Sequence, residues 1–343
     1  MIEANSFVFR ALSLGEHGKG TAMMELAATS DPKGRGADSP GEIPALGLWD
    51  VAWRLYSSLA SDRILLIAAG VTFYLLLSIF PAISVFVSLY GLVADPTSVV
   101  DRLIFFGSAM PEQAFELILG QLRSLVSAPP GSLSLTLLGS LAIALWSANA
   151  GMKALFEAMN VAYGETERRG FVRLNLTSLS VTFASLVLVV LIVTLAGIVP
   201  AVLDYLWLGA WTELIIRFAR WPLLLALIAL AIMALYRLGP SREPAKLRWL
   251  SWGAVFSTGA WFAAALAITF YLGHIADYNA TYGALGASIG FMVWVWISVI
   301  IVILGAELNA ELEHQTARDS TTGPPEAMGN RGAYMADTIG ADA

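Results

Sequence analysis

Long apolar runs, separated by short charged or aromatic stretches, divide the chain into six segments: 64–93, 133–155, 174–203, 221–238, 249–273 and 283–308. Within each, hydrophobic residues follow one another without the apolar–polar alternation of a membrane β-strand. Each is close to or above the ~20 residues that a helix needs to cross a bilayer. The pattern predicts an all-α fold, a polytopic membrane bundle of six transmembrane helices with short amphipathic helices at its surface. The last segment is the clearest. From Gly283 to Ala306 there are 24 residues without a charge, about 36 Å of helix at ~1.5 Å per residue, against a hydrocarbon core of ~30 Å. Gly286 and Gly290 give it a small-xxx-small face for a closely packed neighbour. At its far end Glu307 and Glu311 share one face, with no basic residue before Arg318 to neutralise them. The residues leave open a wet acidic helix end or part of a site.

Outside the apolar segments the pattern changes. Residues 1–47 and 314–343 are polar, and the first stretch is rich in Gly, Pro, Ser and Asp, so both are expected to be disordered tails flanking a domain over 48–313. From Leu48 to Ala60, Trp49, Trp53 and Tyr56 recur at i, i+4 and i+7 while Asp50, Arg54 and Ser57 face elsewhere, which predicts a short helix on the membrane surface. Residues 94–131 have mixed polarity. Pro111, followed by the stripe Phe115, Leu119, Leu122 and Val126, reads as the start of one of two short surface helices.

Three features inside the spans are candidates for chemistry. Pro81 follows Tyr74 and Ser78 in the first span and predicts a kink or break, structural or lining a cavity. In the second span Asn149, Lys153, Glu157 and Asn160 are spaced by 4, 4 and 3, a polar stripe on one helix face. Either Lys153 snorkels to the headgroups and pairs with Glu157, or the stripe lines a path across the membrane. The third is the Glu307 end of the sixth span, with Asn309. Gly253, Ser257 and Gly259 offer small surfaces on the fifth span, and Trp207, Trp211 and Trp221 belong to the aromatic belt of the fourth.

Composition sharpens this picture. Of 343 residues 57% are hydrophobic and 13% charged, against ~25% charged in soluble domains. The placement of Lys and Arg predicts the orientation. With the N-terminus inside, 16 basic residues fall in inner segments and four (Arg102, Arg123, Arg217 and Arg220) in outer ones, so both termini are expected in the cytosol. Cysteine is absent, which removes disulfides and thiol chemistry. The three histidines, His17, His274 and His314, are too dispersed for a shared metal site, and no Gly-x-x-x-x-Gly-Lys loop is present. No catalytic constellation, metal or cofactor is expected. The spans hold almost no ionisable groups away from their inner ends, which argues against coupling to small ions.

The chain resembles the YihY/BrkB family of bacterial inner-membrane proteins. The resemblance rests on Phe73-Tyr74-Leu75-Leu76-Leu77-Ser78-Ile79-Phe80-Pro81, on Trp146 with Lys153, Phe156 and Asn160, and on Tyr282-Gly283-Ala284-Leu285-Gly286 through Trp294 to Gly305-Ala306-Glu307-Leu308-Asn309. It covers about Trp53 to Glu313. It implies a six-helix protein of the bacterial cytoplasmic membrane, in a family whose activity is poorly established and which carries an old label as ribonuclease BN. The residues argue against that label, because no cluster of metal ligands and no basic nucleic-acid groove is legible. Two readings stand from different classes. One is a transporter or translocator of an amphipathic solute, a lipid or envelope precursor. The other is a non-enzymatic scaffold for envelope proteins or self-association. Membrane lipids are the expected partners in both, and nucleic acid in neither.

Overall fold

The computed structural model describes residues 31–91, 119–120, 133–193, 195, 210–274 and 286–342. It is all-helical apart from one isolated bridge between Ala245 and Thr321. A single 3-10 turn, Pro40–Glu42, precedes α1 (Ala45–Ser61), α2 (Ile64–Gly91), α3 (Leu133–Ala162), α4 (Phe171–Val193), α5 (Ala210–Leu238), α6 (Leu247–His274), α7 (Gly286–Glu313) and a last turn α8 (Tyr334–Asp337). Among the described residues, four helices are long and apolar enough to cross a membrane. A fifth joins them if α1 and the start of α2, bent by 62°, count as one span. Apart from residues 119–120, which are helical, the surface helices expected between 94 and 131 lie outside the described residues, as does the stretch 282–285.

α2 and α3 share the most extensive contact, followed by α6 with α7, α5 with α6, and α2 with α7; among the described residues α4 packs mainly on α3 and α5. Among the described residues the buried core lies at one end of this bundle. Ile64, Ala68 and Val71 of α2 meet Ala158, Met159 and Ala162 of α3, Leu250 and Ala254 of α6, and Ile303, Ala306 and Ala310 of α7. Away from this core many of the described apolar side chains are exposed, as Phe183, Val187, Phe262 and Leu266 illustrate, which is what a lipid solvent permits and water does not.

Four expectations are corrected. Pro81 does not break its helix, since α2 runs unbroken from Ile64 to Gly91. The sharp bend falls instead at Asp62–Arg63, where Arg63 adopts φ +51° and the chain turns from α1 into α2. The helix of the fourth segment, expected over 221–238, begins earlier, at Ala210, and carries Pro222 inside it. A proline removes one backbone hydrogen bond, a loss that membrane helices absorb through their neighbours. Thirdly, Gly290 is not a close-approach site: a Cβ there would meet no described atom, and the surroundings of Gly286 lie outside the described residues. The close approach of α6 and α7 is at Gly253 and Gly305, where a Cβ on either would collide with the carbonyl oxygen of the other.

The fourth correction concerns the tails. Residues 314–342 are folded beneath the bundle, and so are residues 31–43 of the other flank. Ala317 N–H donates to Arg35 O (2.7 Å) and Gly340 N–H to His314 O (2.8 Å). Gln315 Nε2 donates to Lys33 O (2.8 Å) and Thr316 Oγ1 to Ala37 O (2.6 Å). Lys33 bridges Asp50 of α1 and Asp342 at 2.9 and 3.0 Å. The two polar flanks satisfy each other, so neither needs a large apolar face to be ordered.

Candidate functional site

The polar residues converge on the end of the bundle where the core sits, forming a collar around the last turns of α7. Of the two possibilities left open for the face of Glu307 and Glu311, a wet acidic end does not hold: Glu307 is 1% exposed and Glu311 6%, with Glu313 beside them at 0%. Its counter-charges come from distant segments. Arg54 of α1 bonds through Nε to Glu311 Oε2 in a very short contact, and its other nitrogens reach Glu311 O (3.1 Å), Gln315 Oε1 (2.9 Å) and Ala341 O (2.9 Å). Arg242, in the loop after α5, pairs with Glu313 at 2.6 Å, both side chains being almost wholly buried. Its guanidinium also lies 4.8 Å from the Tyr163 ring centroid, and Ser320 Oγ donates to the same Glu313 oxygen at 2.8 Å. Glu307 stands apart. Its Oε1 has no hydrogen-bond partner, and the carboxyl of Asp62, at the α1–α2 bend, lies against it.

α1 is thus amphipathic in an unusual sense. Trp49, Trp53 and Tyr56 are exposed, at 66%, 54% and 69%, while Asp50 and Arg54 are buried. The aromatic face looks away from the protein and the charged face supports the collar, which fits a helix lying in the headgroup region. Just inside, Asn309 clamps α6 to α7: Gly253 N–H donates to its Oδ1 (2.7 Å) and its Nδ2 donates to Leu250 O (3.2 Å). The Tyr236 hydroxyl of α5 reaches Val302 O (2.7 Å) and Ser257 Oγ (2.8 Å), and Ser257 Oγ donates to Ile301 O (2.9 Å).

The stripe on α3 divides into three parts. Asn149 Nδ2 donates to Asn175 Oδ1 of α4 (3.2 Å), Lys153 Nζ donates to the same oxygen (2.6 Å), and Ser178 Oγ donates to Asn149 Oδ1 in a very short bond. Asn160 is buried and turned to the next loop, accepting from Ser241 N–H (2.7 Å) and donating to Glu167 Oε2 (3.3 Å). Glu157 is exposed and takes no part. Lys153 therefore does not pair with Glu157, because Asn175 offers an acceptor across the helix interface and the Phe171 ring lies 6.0 Å away. Tyr74, partly exposed, and the following Leu75 line the place where Gly151 of α3 approaches α2, while Ser78 Oγ returns to its own helix at Leu75 O (2.7 Å). The side chain of Pro81 lies outside the described residues.

Asn175 and Ser178 were not singled out from the sequence, although two polar residues three apart inside an apolar run are a readable sign. Arg54, Arg242 and Glu313 could not be recognised as partners, since nothing local connects them. A further feature lies beside the collar. A cavity of about 430 Å³ opens between the start of α4 and the end of α5, with five arginines in its wall. Among the described residues no group of three or more His, Asp or Glu side chains is placed to hold a metal ion.

A multi-pass helical membrane protein with a buried ionic collar at one end of the bundle is the class that fold and site define. Residues 55–329 match the family model described as Virulence factor BrkB, and the chain belongs to that family. The putative ribonuclease-like protein YfkH of Bacillus subtilis is 32% identical over 254 residues, covering 71% of this chain and 88% of that protein. UPF0761 membrane proteins match over shorter pieces. That of Vibrio campbellii is 39% identical over 102 residues, 28% of this chain and 30% of its own length, and that of Idiomarina loihiensis 31% identical over 98 residues. No solved structure matches the chain significantly.

Proposed function

We propose that this BrkB-family protein is a transporter or translocator of an amphipathic solute, a lipid or envelope precursor, in the bacterial inner membrane. In this reading six helices span the bilayer and both chain ends face the cytosol. The observation that carries it is the seam between α3 and α4. Asn149, Lys153, Asn175 and Ser178 place amide, ammonium and hydroxyl groups along an interface whose outer face is apolar. Such a seam gives a polar headgroup hydrogen-bonding partners while acyl chains stay outside, and polar groups at membrane depth are costly unless they have a task or a partner.

These groups do have partners in the bundle, and that supports the second reading, a non-enzymatic scaffold whose collar fixes a surface for envelope proteins. We take the chain to have no catalytic role in either case, and we do not extend to it the activity in the name of the B. subtilis relative. Liposomes reconstituted with the full chain and a fluorescent lipid decide between the two readings. Faster movement of label across the bilayer, reduced in Asn149→Leu at unchanged folded yield, supports translocation. A rate equal to protein-free liposomes removes it and leaves the scaffold.

A further inference from the structure

The arginine-lined cavity is not used by either reading. It lies where the apolar stretches Phe171–Val189 and Phe218–Leu238 end together, at the collar end of the bundle. Arg168, Arg169, Arg173, Arg237 and Arg242 line it, with Glu243 as the single carboxylate. Three of the five already have acidic partners. Arg169 grips Glu167 at 2.6 and 2.8 Å, Arg242 is paired with buried Glu313, and Arg168 lies 3.6 Å from Glu165. Arg173 and Arg237 have no hydrogen bond or ion pair with any described residue, yet they line the same space. Two guanidinium groups that line one cavity and have no ion-pair partner among the described residues gain from an anion placed between them.

The surroundings point the same way. Carbonyl oxygens at the end of α5 would repel an anion, but Arg169 covers those of Leu238 and Gly239 at 3.0 and 2.7 Å. The first turns of α4 present the positive end of a long helix, with Arg173 and Thr177 one turn apart on the cavity side. Ser241 accepts from Arg168 N–H (3.0 Å), which leaves its hydroxyl proton to donate. Beside the opening, Val172, Leu176 and Leu238 are exposed apolar side chains at 69%, 62% and 46%. A volume near 430 Å³ suits a small polar group rather than a whole lipid.

We propose that this cavity binds a phosphate-bearing anion, with Arg173 and Arg237 as its principal ligands and the apolar flank available for acyl chains when the phosphate belongs to a lipid. Planar guanidinium forks match phosphate oxygens in bidentate geometry, which a lysine cannot reproduce. The site is independent of whether the chain moves a solute.

The test uses the full chain, delipidated in neutral detergent, with native mass spectrometry reading occupancy. The probes are phosphatidylglycerol, diacylglycerol with the same acyl chains, and inorganic phosphate. Saturable binding of phosphatidylglycerol but not diacylglycerol is expected. The double variant Arg173→Gln/Arg237→Gln should weaken it by at least about tenfold, the equivalent of losing one charge-assisted hydrogen bond. Arg248→Gln/Arg318→Gln, which removes two exposed charges outside the cavity, should leave it unchanged, and Arg173→Lys/Arg237→Lys should retain part of it. Phosphate binding that depends on the same two arginines, without lipid binding, would support the site and identify its ligand as soluble. Equal weakening by both Gln pairs would reduce the effect to net charge and overturn the proposal, as would no saturable binding of either probe.

Discussion

Arg242 and Glu313 show how the collar's parts depend on one another. With both side chains buried, removing one leaves the other as an unpaired charge away from water, a loss of ~3–5 kcal/mol, whereas replacing both by apolar groups of similar volume is often neutral. Glu313→Gln should therefore lower the midpoint of thermal unfolding sharply, and Arg242→Met/Glu313→Leu should recover most of the loss. A double variant as unstable as the single one would show that Ser320 and Tyr163, not the charge pair, set the stability. Glu167 is a different case, because its shift makes a pH dependence. The hydrogen bond from Arg169, with those of the Arg169 backbone and Asn160, outweighs burial and brings its carboxyl from its ordinary 4.5 down to about 2. A depressed carboxylate stabilises the fold fully above its unfolded value, and that stability is lost as pH falls through the folded one. The difference in unfolding midpoint between the wild type and Glu167→Gln should be constant above about pH 5 and shrink towards about pH 2. A difference that stays constant through that window would break the assignment. Glu167 and Arg169 are two positions apart, but the collar's pairs were not readable in the residues. Arg54 and Glu311 are 257 positions apart, and only the fold brings them together.

The helices themselves were readable, because an apolar run of sufficient length has few alternatives in a chain of this composition. Their contacts were less so. A small-xxx-small spacing marks where two backbones can approach, and the chain carries several such spacings. Which one is used depends on what else the neighbours offer. α6 and α7 meet at Gly253 and Gly305 because Asn309, Ser257 and Tyr236 tie their backbones there, and hydrogen bonds of this kind need close approach. Gly305→Ala should cost at least the ~1–3 kcal/mol of overpacking, read as lost folded yield by size-exclusion chromatography. Gly290→Ala should be neutral or slightly stabilising, as alanine is the better helix former. If the two variants behave alike, the α6–α7 contact is looser than the backbone positions require. On α3, Asn149→Leu should unpair Ser178 and Asn175 from that side chain without affecting Asn160, which faces another loop. Complementation of a family-null strain by Asn149→Leu and Lys153→Met together would remove the seam from any activity.

At the scale of the whole molecule, the described loops and flanks gather at the collar end of the bundle. The loop at Arg168 touches Ser241, Glu243 N–H bonds Gly332 O at 3.1 Å, Arg242 reaches Glu313 and Ala317 N–H bonds Arg35 O, so two inter-helix segments and both flanks share a single side. Reporter fusions within 168–173 and 242–248 should report the same compartment as fusions at either end of the chain, and opposite reports would contradict the fold. Limited proteolysis should spare residues 314–342, whose composition reads as a tail but whose backbone is bonded to residues 31–43.

Arg54 also sets a schedule. Its guanidinium holds Glu311, Gln315 and Ala341, the last of them 287 positions downstream, so during synthesis it has no native partner until nearly the whole chain has left the ribosome. The apolar helices enter the bilayer in order as they emerge, while this base locks in one late step. A nascent chain stalled before residue 311 would be inserted yet unlatched, with a cation and several carboxylates waiting at the membrane edge. Proteases that sample that edge would meet a molecule whose late assembly is recorded in whether residues 31–43 and 314–342 have found each other.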